Sequence, residues 1–461
     1  MNTQQNHRIL LAIIVLSVLL RVAMALVLGD AIGDIRGGTH DQISYDALAQ
    51  RVAAGHGFSF ATAWWPGVAA DQPTAFWSYL YTLYLAGVYT LFGHSILAAR
   101  LIQAVLVGVA MPWLTWRIGR RLFGPRPALI AAAINAVYFY FILYAASLMS
   151  EALYMVGILW IVDTAMRLTL ALANPAGGGG RRGRLGLELG LAMGVTLLLR
   201  QAISPFLLVL ALWFLWLAWR RGWLRRALGP LALAALVMAL LLLPFVLRNY
   251  RLFGVVGMPN TNVGIAFYWA NHPIYGAQFE AVLSPEHGVS YQELIPPELR
   301  GLNDALLDRA LLQRGVQLVR DDPGRYLRLS LSRVPIYFQF WPSAHSSLLS
   351  NAARLLSFGL FLPFMLYGLI LAIRDARPGR RLHSVASPDG SDFRAAYLIL
   401  TVLFMVTYTI VHLISWANVR YRLPVDAFLI LFAAYGIDDL WQRLSRRRVA
   451  RRSQVHLQPS N

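Results

Sequence analysis

Residues Phe76–Phe92, FWSYLYTLYLAGVYTLF, are apolar enough to pass for a membrane span, and the fold turns on whether they cross. The charges that follow say they do not. If the segment crossed, the next apolar run, Leu97–Trp116, would run outward and carry Arg117, Arg120, Arg121 and Arg126 to the outside. Short links rich in Arg stay on the cytoplasmic side of membrane proteins, which disfavours that path. Four tyrosines (Tyr79, Tyr81, Tyr84 and Tyr89) also suit an interfacial segment. The segment is therefore expected to lie in the outer interface, or to re-enter, without crossing.

With that choice every other side agrees. The 461 residues are 57% hydrophobic and 14% charged, the composition of an integral membrane protein. Apolar runs at Ile9–Leu28, Leu97–Trp116, Ala128–Tyr144, Ala152–Leu172, Leu185–Leu199, Phe206–Trp219, Leu228–Leu247, Leu355–Ile373, Ala395–Leu413 and Val425–Ile437 give about ten crossings. Both termini then lie inside, and the expected class is an all-α membrane bundle. The first run is too long for a signal-peptide core, has no cleavage site behind it, and reads as a retained span. The formal charge of +19 sits mostly in short Arg links, so side selection explains it without a nucleic-acid partner. The Gly/Arg link Asn174–Arg184 and the basic tail read as linker and topology signal, with anionic lipid headgroups as a lesser partner. The expected units are residues 1–250 with an outer loop 29–96, an external region 251–333, helices 334–441, and a cytoplasmic tail 442–461.

Polar outliers cluster at the outer ends of the runs. The first outer loop carries THDQISYDALAQRVAAGHGF, Thr39–Phe58, with Ser44–Ala54 as an amphipathic helix and Asp41, Tyr45 and Asp46 among Ala and Leu. Glu151 ends the turn before the fourth crossing and Arg200 ends the fifth. Arg248, Asn249 and Tyr250 end the seventh, and Arg420, Tyr421 and Arg422 precede the last. An Arg inside a span costs roughly 2.5–3.5 kcal/mol, so such residues need a reason. Arginines bind phosphate in forked geometry, and carboxylates deprotonate an incoming hydroxyl. Together they point to a reaction on a phosphorylated lipid at the outer face. Gly177–Gly180 lacks the Lys-Ser/Thr of a nucleotide loop. The absence of cysteine excludes disulfides and thiolate zinc sites. The histidines, His40, His56, His94, His272 and His345, have no helical ligand spacing, and no metal or other cofactor is expected.

The order of these elements resembles the polytopic GT-C glycosyltransferases that use polyprenyl-phosphate sugars, nearest to aminoarabinose transferases and protein mannosyltransferases (family 39). Their first-loop pattern, Asp-Glu-x-x-Tyr, then Ala, then Gly-x-Gly-Phe, is matched by Asp41-Gln42-Ile43-Ser44-Tyr45, Ala49 and Gly55-His56-Gly57-Phe58. Leu91-Phe92-Gly93 with Arg100, Arg120-Arg121-Leu122-Phe123-Gly124, Glu151, Arg248-Asn249-Tyr250, Asn262, Gly264, Asn271 and Arg420-Tyr421-Arg422-Leu423-Pro424 follow in the expected order. Gln42 and Thr74-Ala75 depart from the pattern, which leaves the acceptor open. The resemblance implies a GT-C-type multi-span bundle with interfacial helices in the first outer loop. It also implies a glycosyltransferase of the cytoplasmic membrane acting on its outer face. The large soluble domain of oligosaccharyltransferases is not expected here.

On that reading Asp41 and Glu151 are the catalytic candidates. Arg200, Arg248, Arg420 and Arg422 hold the donor phosphate, and Tyr45, His40, Tyr421 and Asn271 contact substrate. The donor is a polyprenyl-phosphate-linked sugar, transferred with inversion to a lipid, glycan or protein. Simpler readings stand beside these: Asp41 as a helix N-cap, Arg200 snorkelling to headgroups, Asn262 and Asn271 shaping turns, Asp34 and Asp46 as solvated loop charges. The rival class is a transporter of lipid-linked sugars. Transporters have internal repeats and mid-span broken helices, and neither is evident in the sequence.

Overall fold

The computed structural model describes residues 3–32, 41–174, 179–257, 259–344, 346–376 and 393–455. Asp34, His40 and His345 lie outside the described residues. Helix α1 (Thr3–Leu28) leads to α2 (Asp41–Ala53) and α3 (Tyr79–Phe92), then α4 (Ile96–Phe123), α5 (Pro125–Val137) and α6 (Phe139–Ala146). Helices α7 (Glu151–Ala173), α8 (Gly179–Leu199), α9 (Ser204–Arg220) and α10 (Leu224–Phe253) complete the first part of the bundle. An intervening region holds α11 (Val263–Ala270), α12 (Asp304–Asp321) and α13 (Pro323–Tyr337). The chain closes with α14 (Leu348–Arg354), α15 (Leu360–Asp375), α16 (Arg394–Ile414) and α17 (Val419–Val455). No β-strand occurs among the described residues.

The ten expected crossings each coincide with a helix or helix pair. Seven are long and apolar enough to span: α1, α4, α7, α9, α10, the α14–α15 run and α16. The pair α5 and α6, bent by 52°, makes an eighth. Helices α8 and α17 fill the remaining two places, and their charged residues (Arg181, Arg182, Arg184 and Glu188 in α8, Arg420, Arg422, Asp426, Asp438 and Asp439 in α17) set them apart. The chain is a multi-pass membrane protein. Helix α3 has 14 residues, about 21 Å, short of the roughly 30 Å of a bilayer core. Its length fits an interfacial helix.

Most of α7 is enclosed, with α4, α6, α8, α16 and α17 packed against it. Helix α7 carries two buried acids met by arginines. At its C-terminal half Asp163 is reached by Arg117 at 3.0 Å, Arg121 at 2.6 Å and Arg167 at 3.0 Å. At its N-terminus stands Glu151. A carboxylate with these partners survives in the interior because its charge is compensated on the spot.

Close approach comes from small residues. Gly186 and Gly190 let α8 lie on α10; a Cβ at Gly190 would meet Ala234 O at 2.5 Å. The break between α5 and α6 leaves carbonyls without helical partners, and a buried arginine of α1 takes them. Arg21 donates to Asn135 O at 3.1 Å and Ala136 O at 3.2 Å. This mid-span charge is thus spent on backbone rather than on a ligand. The break re-aims α6 so that it ends in the turn before Glu151.

Candidate active site

Asp41 is the first residue of α2, and neighbours on three sides fix that helix. The carboxamide Oε1 of Gln42 accepts Leu148 N–H at 3.0 Å and Arg100 Nη2 at 3.4 Å, so it ties α2 to the turn that precedes Glu151. Arg100 is buried and also donates to Leu28 O at 3.0 Å, Gly29 O at 2.5 Å and Ala31 O at 3.1 Å, closing the end of α1. The departure from the acid usual at Gln42 has a use here, since this side chain is a buried strut. Asp46, read from sequence as a solvated charge, is buried. It accepts from Tyr89 Oη at 2.6 Å and Gln50 Nε2 at 2.7 Å, and meets His94 Nε2 at 2.8 Å. The reason is the docking of α2 onto α3, which covers that face.

Glu151 opens α7 and is buried. Its turn is held by Gln103, whose Nε2 donates to Ala145 O at 3.0 Å and Ser147 O at 2.8 Å. Arg200 follows the last residue of α8. Arg420 and Tyr421 stand in the first turn of α17, where Asn418 accepts from Arg420 N at 3.2 Å and from Tyr421 N at 3.0 Å.

These four segments converge. Arg420 Nη1 pairs with Asp41 Oδ2 and lies 3.6 Å from Glu151 Oε1. Arg200 Nη1 pairs with the same Glu151 oxygen. The Tyr421 ring backs both guanidinium groups, at 5.0 Å from Arg420 Cζ and 5.2 Å from Arg200 Cζ, and its hydroxyl lies 3.1 Å from Arg420 Nη2. Behind it His412 stacks on Tyr421 at 4.8 Å, while the imidazole Nδ1 meets Trp416 O at 3.2 Å. The order Asp41, Arg420, Glu151, Arg200 is an alternating chain of charges, neutral as a whole. Tyr45 stands beside it, packed on Trp77 and Tyr81. Burial pushes its phenol up to about 12, with Arg200 pulling the other way, so it stays protonated.

Three sequence candidates stand elsewhere. Arg422, expected beside Arg420, points into the core. It pairs with Asp426 at 3.0 Å, donates to Tyr337 O at 2.8 Å and lies over the Phe358 ring at 3.6 Å. Two positions along a helix is about 200° of turn, which sends the two side chains to opposite faces. Arg248 joins another cluster, donating to Tyr79 Oη at 2.7 Å and Thr74 O at 3.3 Å. Asn271 is buried; its amide donates to Phe267 O at 2.8 Å and its oxygen accepts from Arg333 at 2.9 Å, the turn-shaping role. His40 lies outside the described residues. The aromatic backing by His412, Tyr408 and Tyr154 had no sequence signal, being spread over two apolar helices. Among the described residues no three His, Asp or Glu side chains gather as a metal site would require.

Residues 75–247 match the family model of dolichyl-phosphate-mannose-protein mannosyltransferases. Among curated proteins none matches in sequence. The archaeal oligosaccharyltransferase AglB from Archaeoglobus fulgidus, in complex with an inhibitory peptide and a dolichol-phosphate, superposes with a TM-score of 0.56 at 16% identity. That superposition covers 98% of this chain and 52% of AglB. The chain has the GT-C fold. It spans about half the length of that relative. A further GT-C structure, ArnT from Cupriavidus metallidurans bound to undecaprenyl phosphate, aligns at 14% identity and a TM-score of 0.41, over 90% of this chain and 78% of ArnT. Both the fold and the family match are those of membrane glycosyltransferases. Of the site residues in this GT-C chain, Glu151 and Arg200 fall within the family match. Asp41 and Arg420 come from either side of it.

Proposed function

We propose that the chain transfers a sugar from a polyprenyl-phosphate carrier to an acceptor hydroxyl at the outer face of the cytoplasmic membrane. What carries the reading is the convergence of Asp41, Glu151, Arg200 and Arg420 from four distant segments onto one aromatic platform. Arg420 and Arg200 hold the carrier phosphate and stabilise it as it leaves. Asp41 accepts the proton of the acceptor hydroxyl, whose oxygen bonds to the anomeric carbon as the carbon–phosphate oxygen bond breaks. The electron pair of that bond stays on the phosphate, and the anomeric centre inverts. Glu151, held by both guanidinium groups, keeps them at a common spacing. The archaeal relative is seen with a dolichol-phosphate, which supports a lipid-phosphate donor. The Arg-rich links at the opposite ends of the helices support an outer-face site, since such links favour the inner side.

The test is direct. Purified protein is given radiolabelled polyprenyl-phosphate hexoses and pentoses together with a membrane extract. Label leaving the carrier supports the reading and names the sugar. Label that only crosses a liposome bilayer would replace it with transport.

A further inference from the structure

The Asp41–Arg420 contact has a consequence for the order in which substrates act. We infer that the donor phosphate displaces Asp41 from Arg420, so that the base becomes competent only once the donor is bound. This rests on the proposed transferase reading and concerns the control of the same site.

The argument is one of charge. Asp41, Arg420, Glu151 and Arg200 balance, two acids against two guanidinium groups. A phosphodiester adds a third anion to the same two cations, so one carboxylate must give up its partner. Glu151 is 4% exposed and approached by both guanidinium groups, and an unpaired charge there is costly. Asp41 is 20% exposed, so water can take the place of Arg420 there. Asp41 is therefore the group released. A carboxylate freed from a guanidinium binds a proton more readily, and that is what a general base needs. Arg420 occupies the Asp41 carboxylate in the resting protein, and donor binding removes that contact. The bond changes are those given above; the donor phosphate alters only which anion Arg420 faces.

The experiment measures binding of a short-chain polyprenyl phosphate to the detergent-solubilised full chain and to Asp41→Asn. With Asp41 neutral, the donor phosphate no longer has to displace a paired carboxylate from that side of Arg420, so the variant binds about three- to tenfold more tightly while losing transfer. Equal or weaker binding by the variant overturns the inference. If Asp41→Asn does not fold, Asp41→Ser serves the same purpose, with a melting curve to confirm the native state. If the wild type binds no polyprenyl phosphate, the transferase reading itself fails, an outcome distinct from unaltered binding.

Discussion

Arg420 and Asp41, 379 residues apart, meet as an ion pair that joins the first and last parts of the bundle. The contact gives Arg420 a role that Tyr421 and Glu151 support from the other sides. Arg420→Ala is expected to raise the apparent KM for donor roughly ten- to hundredfold, the weight of a lost charge-assisted hydrogen bond. Steady-state kinetics over a donor series checks it. An unchanged KM would remove Arg420 from the phosphate site.

Arg422 should behave otherwise. It is fully buried against Asp426, which also accepts from Tyr138 Oη at 2.8 Å. Arg422→Ala leaves that acid uncompensated and should cost about 3–5 kcal/mol of stability. The double variant Arg422→Met/Asp426→Leu should recover part of it. Thermal unfolding in detergent, alongside donor KM in whatever protein remains folded, separates this from a binding role.

Gln42→Ala tests the strut between α2 and the turn before Glu151. The variant loses the acceptor of Leu148 N–H and loosens Asp41 against its neighbours. We expect kcat to fall about tenfold or more with little change in donor binding, since a misplaced base affects chemistry first. A matched drop in melting temperature and activity would make Gln42 merely structural.

The pH response of the region between α10 and α14 follows from Asp308. Burial pushes its carboxyl up to about 6 against the donors at Ile265 N and Gly264 N. A carboxyl whose folded value is raised stabilises the fold below its unfolded value, near 4, and loses that contribution as pH rises through 6. Asp308→Asn keeps a neutral group there. Its stability relative to wild type should therefore increase by about 1–2 kcal/mol between pH 4 and pH 7. Parallel melting curves at the two pH values measure the difference. No relative change would mean that the carboxyl titrates normally.

The spans were legible in the sequence because apolar length and the placement of Arg are sufficient to position them. The core of the site was legible too, because charged residues at the ends of apolar runs stand out. What could not be read was which way each one faces. Arg422 differs from Arg420 only by its azimuth on α17. Asp46 looks like a loop charge until α3 covers it. The buried Arg21, Arg100 and Asp163 serve a helix break, a helix end and three neighbouring arginines. Their partners are backbone carbonyls or residues on other helices, and contacts of that kind leave no pattern along the chain.

The central claim is that Asp41 is the base. The most direct measurement is the rate at which label leaves a polyprenyl-phosphate sugar in the presence of acceptor, with wild type and Asp41→Asn at equal amounts of folded protein. A loss of about 10²- to 10⁴-fold is expected in the variant, with donor binding strengthened. Transfer at a near wild-type rate by Asp41→Asn would contradict it.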